Sequence, residues 1–196
     1  MVDSCPFCER AKEEILYESR NFFVTPGLGQ LVEGYLLICS KEHFIGLSGM
    51  PLEYFDEFLD VQEKVRGVLS RKYCNPIFFE HGAVSRARKG GCCIDHSHLH
   101  AVPANVDIYS DIERHFTGRR IESIKEIKEQ LERQKSYFYY ENQEGEKFVF
   151  ELNESVPSQY LRQVLAVRLG TNRWDWRIHP EYERFNRTLE RLRGLI

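Results

Sequence analysis

The chain lacks any run of about eighteen apolar residues, the length a membrane-spanning helix needs, and no charged-then-apolar leader follows Met1. Both absences predict a soluble chain that is neither secreted nor membrane-bound. A surplus of positive charge is missing too: 27 Lys and Arg stand against 30 Asp and Glu, for a formal net charge of −3. That balance argues against wrapping long nucleic acid. No internal repeat or low-complexity stretch occurs. Nor does the cysteine pattern suit a disulfide framework, because the six cysteines include the adjacent pair Cys92 and Cys93. Reduced thiols and metal fit better, which predicts a cytoplasmic protein. What is present, 196 residues at 42% hydrophobic, suffices for one domain with a sizeable core, or one domain with an appendage. The charge is uneven: residues 162–196 hold eight Arg against four acids, which leaves about −7 for the rest. A solvated helix face is the ordinary reading of such a bias.

The stretch from Gly90 to Pro103, GGCCIDHSHLHAVP, dominates the reading. In it His96, His98 and His100 alternate with Ser97, Leu99 and Ala101. A period of two is a strand period, so as a strand this segment would stand three imidazoles on one face and Ser, Leu and Ala on the other. The second face can pack. Three histidines on the first need partners such as metal, phosphate or water, because histidine is neither a good strand former nor a good core residue. At roughly 3.3 Å per residue the outer two lie about 13 Å apart, too far for all three to share one ion easily, though neighbours can.

The pattern H-x-H-x-H followed by Ala101 and Val102 resembles the signature of the histidine-triad (HIT) superfamily of nucleotidyl hydrolases and transferases. The approach Gly91-Cys92-Cys93-Ile94-Asp95 and the upstream Phe79-Glu80-His81-Gly82 resemble its zinc-containing branch, related to galactose-1-phosphate uridylyltransferases and to dinucleoside polyphosphate hydrolases and phosphorylases. The resemblance covers residues 1–105. It implies an α+β fold, a HIT-like antiparallel sheet with a long helix packed on it, to which this chain would add a C-terminal appendage of helices and a β-hairpin. The predicted division is a nucleotide-binding core with an N-terminal zinc knuckle over 1–108 and an extension packed on it over 109–196.

Cys5-Pro6-Phe7-Cys8 sets two sulfurs three positions apart, able to hold one tetrahedral ion. A redox pair is the competing reading, but no strand followed by a helix frames it in the thioredoxin manner. The resemblance implies the other ligands: His43, just after a strand, and His96, the first of the triad. The implied set is zinc held by Cys5, Cys8, His43 and His96, a closed structural site. His43 as a plain surface residue is the alternative.

Strands are predicted over 21–25 and 34–39, separated by Pro26-Gly27-Leu28-Gly29. Helical spacing of Phe55, Phe58, Leu59, Val61, Val65, Val68 and Leu69 predicts a packing helix over 52–72, with Pro51 at its start. A strand follows over 75–81. The basic loop 83–91 then delivers the chain to the triad. Its Arg86, Arg88 and Lys89 either neutralise a phosphate chain or are solvated. Beyond Pro103, residues 109–116 read as a linker or short helix. Ile121, Ile124, Ile127 and Leu131 mark an amphipathic helix. Residues 136–141 and 147–151 form a hairpin, 158–169 a helix, and 171–172 a turn. From this extension Arg162, Gln163 or Arg177 either reach the phosphate site or cap the sheet edge.

By match to the motif, His98 is the nucleophile. His100 and nearby backbone groups would bind phosphoryl oxygens or the leaving group. A neutral imidazole is a good nucleophile near pH 7 and forms a readily cleaved phosphoramidate. His81 either donates to the phosphate or is structural. Cys93 stands where many members carry Ser or Thr toward the substrate; a thiol donates weakly, so packing is its other reading. The implied partner is a nucleotide (a dinucleoside polyphosphate, nucleoside phosphoramidate or nucleotide sugar), with neither membrane nor nucleic acid, and a homodimer is the common family arrangement. Two rival readings stand: a metal-dependent hydrolase using His96 and His98 as ligands, and a non-catalytic zinc scaffold binding RNA or protein through the Arg-rich end with Trp174 and Trp176.

Overall fold

The computed structural model describes residues 5–87 and 90–196. Among these, no helix is long and apolar enough to cross a membrane. The fold is α+β. Eight antiparallel strands form one sheet: β1 (Tyr17–Glu18), β2 (Phe22–Pro26), β3 (Leu36–Ser40), β4 (Ile77–Gly82), β5 (His98–Val102), β6 (Gly118–Ile121), β7 (Tyr137–Glu141) and β8 (Lys147–Glu151), in the spatial order β1-β2-β3-β5-β4-β7-β8-β6. The five α-helices are α1 (Phe55–Lys72), α2 (Tyr109–Glu113), α3 (Lys128–Glu132), α4 (Tyr160–Arg168) and α5 (Tyr182–Leu192). The hairpin β7–β8 extends the same sheet, since β7 pairs with β4 from Phe78↔Glu141 to Gly82↔Tyr137.

Alternation along the strands gives the sheet two apolar faces. On one, Phe22, Val24, Leu36, Ile38, Phe78, Leu99 and Ala101 pack with Phe55, Phe58, Val61, Val65 and Leu69 of α1. This is the long helix expected from its 3.6-residue spacing, and each such side chain contributes roughly 1.5–3 kcal/mol by leaving water. Pro51 does not open it: a 3-10 turn, Leu52–Tyr54, intervenes and α1 begins at Phe55. On the other face, Leu37, Cys39, Phe79, Phe138 and Tyr140 pack under α2 and α4 through Ile108, Ile112, Leu161 and Leu165. Register puts His100 opposite both Leu37 and Phe79, and His98 opposite Cys39, so the imidazoles stand on this second face.

Several elements differ from their sequence-based expectation. The triad strand begins at His98, and His96 sits in the bend before it. There the His96 N–H donates to Ile94 O (2.8 Å) and the Ser97 N–H to Phe44 O (2.6 Å), which turns the chain before it joins the sheet. The amphipathic helix expected around 121–131 is split into a 3-10 turn, Ile124–Ile127, and α3; the turn is capped reciprocally by Ser123 and Glu126. Strand β6 and helix α5 were not expected as elements.

Candidate functional site

Two adjoining clusters meet at the head of β5. The first is Cys5, Cys8, His43 and His96, whose ligand atoms all lie within 4.8 Å of one another. The 5–8 segment is a tight turn closed by the Glu9 N–H donating to Cys5 O (3.1 Å). Its Phe7 is buried between the clusters, with ring centroids 5.5 Å from His96 and 5.1 Å from His98. His96 Nδ1 lies 3.3 Å from Cys5 Sγ, 3.6 Å from Cys8 Sγ and 3.3 Å from His43 Nδ1, and Cys8 Sγ lies 3.4 Å from His43 Nδ1. A tetrahedral zinc ion with ordinary Zn–S and Zn–N lengths has S···N edges of about 3.6 Å and N···N edges of about 3.3 Å. The donor set fits zinc.

Its surroundings agree. His96 Nε2–H donates to Ser40 O (2.7 Å), which leaves Nδ1 as the free lone pair aimed at the cluster. Burial holds the His96 pKa below its ordinary value, as suits a neutral ligand. Burial, then Cys5 beside it, pushes the Cys8 thiol up to about 11. A bare Cys8 thiol would therefore stay protonated, and only a cation beside it would favour thiolate.

The second cluster lines a cavity of about 90 Å³ whose walls include His81, His98, His100, Cys93, Arg162 and Trp176. His98 Nδ1–H donates to the backbone carbonyl of His96 (2.6 Å). That bond fixes the tautomer and leaves the Nε2 lone pair as the ring's unbonded edge. Burial first, then the His96 carbonyl and ring acting in opposite directions, lowers the His98 pKa to about 4, so the ring is neutral at pH 7. His100 stacks on Phe79 at 4.5 Å and 16° and lies 4.8 Å from the His98 ring. Its Nδ1 is 2.8 Å from the Tyr35 hydroxyl. Burial also holds His100 well below the ordinary histidine value.

His81 reaches the same cavity, but its Nε2 accepts the Leu161 N–H at the start of α4 (3.0 Å), and burial drives its pKa down to about 3. Cys93 Sγ accepts the Trp176 indole N–H (3.3 Å). Arg86 lines a different, larger cleft of about 650 Å³ that shares only Cys92 with the histidine cavity. None of the imidazoles lines that larger cleft. Lys89, with Arg88, lies outside the described residues.

The likeness to known proteins is confined to fold. No protein-family model matches the sequence, and no curated protein matches it. Solved structures are similar to it in fold. One is a zinc-bound histidine triad family protein from Mycobacterium smegmatis, 21% identical over 67% of this chain and 95% of that one, with a TM-score of 0.44. Another is a HIT family protein from Bacillus anthracis, 20% identical over 55% of this chain and 77% of that one, at 0.46. A third is a hypothetical histidine triad nucleotide-binding protein from Sulfolobus tokodaii, 24% identical over 66% and 87%, at 0.44.

Of the cavity's roof, sequence reasoning named only Arg162 as able to reach the site. Gln159, Arg162 and Trp176 come from the extension, which docks on the 27–31 loop through the Gly29 N–H donating to Pro180 O (2.8 Å). Gly29, at φ +65°, allows this approach: a Cβ there would sit 2.5 Å from Trp176 Cβ. Of the three extension residues considered from sequence, Arg162 lines the cavity; Gln163 instead donates to Ser158 O and Arg177 stacks on Trp176. Tyr35, the partner of His100, also went unread. Only the glycine-rich turn 26–29 signalled a close approach there.

Proposed function

We propose that the chain is a HIT-type nucleotidyl hydrolase or transferase acting at the α-phosphorus of a nucleotide through a covalent nucleotidyl-histidine intermediate. The observation that carries this is the 2.6 Å bond from His98 Nδ1–H to the His96 carbonyl, which leaves a neutral Nε2 lone pair in a cavity shared with a second imidazole. In the first step Nε2 forms a bond to phosphorus, and the bond from phosphorus to the leaving-group oxygen breaks, its electron pair departing with that group. In the second step water, phosphate or a sugar phosphate attacks phosphorus and the pair returns to Nε2. His100 would donate to the phosphoryl oxygens, where negative charge gathers. Cys5, Cys8, His43 and His96 would hold zinc, which supplies rigidity at the head of β5 rather than chemistry.

The rival in which His96 and His98 share a catalytic ion is disfavoured by the same geometry. Both His96 nitrogens are engaged elsewhere, Nδ1 toward the Cys5 cluster and Nε2 on Ser40 O. The scaffold reading is disfavoured, since Trp176 is turned onto Cys93 and the half-buried Trp174 packs against the core.

The test is a panel of dinucleoside polyphosphates, nucleoside phosphoramidates and nucleotide sugars, each with and without phosphate, with intact-protein mass spectrometry of quenched mixtures. A nucleotidyl adduct on the wild type that His98→Ala lacks is the expected result. Turnover that survives in His98→Ala removes the mechanism.

A further inference from the structure

Arg162 is an odd residue to find where it is. It is 3% exposed, yet no carboxylate lies within ion-pair distance of it among the described residues. Its Nε–H donates to Trp174 O (3.0 Å) and its Nη2–H to Gly29 O (2.6 Å), both uncharged acceptors. Its guanidinium stands 5.3 Å from the Tyr35 ring centroid. Asp175 feels its charge, but that carboxylate's Oδ1 accepts from Gln159 Nε2 and from the Arg177 N–H. A buried cation hydrogen-bonded only to neutral groups is costly unless an anion completes it.

The cavity beside it has the matching character. Its lining contains two arginines and three histidines and no Asp or Glu. The other arginine, Arg10, already has a partner, with Nε 2.9 Å from Glu14 Oε2. The positive charge of Arg162 is therefore the one in this cavity without a counter-charge. Its volume, about 90 Å³, is far below the roughly 300–1,000 Å³ of sites that enclose a whole small-molecule ligand. A single tetrahedral oxyanion is of the right scale.

We infer that Arg162, supplied by the C-terminal extension, forms a built-in anion subsite for one phosphoryl group, closing over His98 and His100 from the side opposite the sheet. The inference deepens the transfer reading and rests on it for the identity of the anion. The guanidinium brings charge and N–H groups to the phosphoryl oxygens. Trp174 and Gly29 hold it there through their carbonyls. The nucleoside portion must lie outside this space.

Inorganic phosphate is the probe. Isothermal titration of the zinc-replete protein should give saturable phosphate binding in the wild type and in His98→Ala. Arg162→Lys, which keeps the charge but loses the planar fork, should bind at least about tenfold more weakly. Arg162→Gln should show no saturable binding. Because those variants also disturb the Trp174 and Gly29 contacts, the wild type carries a second readout: phosphate should shift the Trp176 indole N–H resonance and leave that of Trp174 in place. No saturable binding to the wild type, or wild-type affinity in folded Arg162→Gln, overturns the inference. Phosphate bound through Arg162 without any adduct on His98 would overturn the transfer reading and leave the subsite standing. An adduct on His98 with phosphate binding indifferent to Arg162 would do the reverse.

Discussion

Replacing His81 with glutamine should flatten the acid limb of this protein's stability curve. His81 lies on β4, 5% exposed, and its Nε2 accepts the Leu161 N–H that anchors α4. The bond exists only while Nε2 is unprotonated. Burial above all, reinforced by His98 and Arg162, lowers the pKa from 6.5 to about 3 in the folded chain. With the folded value below the unfolded one, the stabilisation is complete above pH 6.5 and is lost as pH falls toward 3. At pH 5 the unfolded imidazole is about 30 to 1 protonated while the folded one is still neutral, and this difference costs about 2 kcal/mol. Glutamine can offer Leu161 an amide oxygen at every pH. The assay is urea unfolding of both proteins at pH 8 and pH 5. Titrating groups common to the two, the zinc ligands included, cancel in the comparison. The wild type should lose about 2 kcal/mol more than His81→Gln between these pH values. Parallel losses in the two proteins would refute the claim that a buried neutral His81 ties α4 to the sheet.

Other consequences are direct. His96→Ala should lose zinc and stability together, because one residue serves as metal ligand and as support for the β5 entry; metal analysis of the purified variant should fall from about one equivalent to near zero. Zinc well below about half an equivalent in the wild type would remove that site from consideration. Phe58→Ala, at 0% exposure under the sheet, should cost about 3–5 kcal/mol in denaturant unfolding yet leave zinc content unchanged, since the cavity it creates is on the face away from the metal. Trp176→Ala should speed the reaction of Cys93 with thiol reagents several-fold, because the indole that donates to Cys93 Sγ also covers it; an unchanged rate would show that the roof is elsewhere.

What the sequence disclosed follows from how local each signal is. The hairpin expected over 136–141 and 147–151 is found at Tyr137–Glu141 and Lys147–Glu151, because aromatic and β-branched residues flank a polar turn in which Gly145 adopts φ +84°. Helix α1 announced itself by seven apolar positions at helical spacing. By contrast β6 is only four residues, GRRI, with burial confined to its end, so no alternation could reveal it. In α5 the apolar stripe is thin: Phe185, Thr188 and Leu192 are the buried positions among eleven, and the arginines between them hide the period. The bend at His96 escaped for another reason. Period-two spacing says where side chains would point if the strand ran through, and here the Cys5, Cys8 and His43 donors and the Ser40 carbonyl draw the first imidazole aside. Tyr35 was hidden by distance along the chain, its partner His100 lying 65 residues away; Arg162 was named as a candidate, but its anchor on Gly29 O, 133 residues away, was not legible.

The row of histidines is thus better seen as two devices sharing a residue. His96 directs its ring into the Cys5, Cys8 and His43 donor set, while its backbone carbonyl, fixed by the same bend, accepts the hydrogen bond from His98 Nδ1–H at 2.6 Å. The Cys5, Cys8 and His43 donors and the His98 tautomer are therefore coupled through a single peptide unit. A triad on an unbroken strand would lack this coupling: a strand carbonyl at 96 would be drawn into the ladder, and the bond that fixes the middle ring's tautomer would be absent. The extension completes the other side. With α4 anchored on His81 and the 174–180 segment seated on the 27–31 loop, the sheet supplies neutral bases and the extension supplies a buried cation. His98 and His100 come from the sheet and Arg162 from the later part of the chain, so the two together bring neutral bases and a buried cation to one oxyanion-sized space.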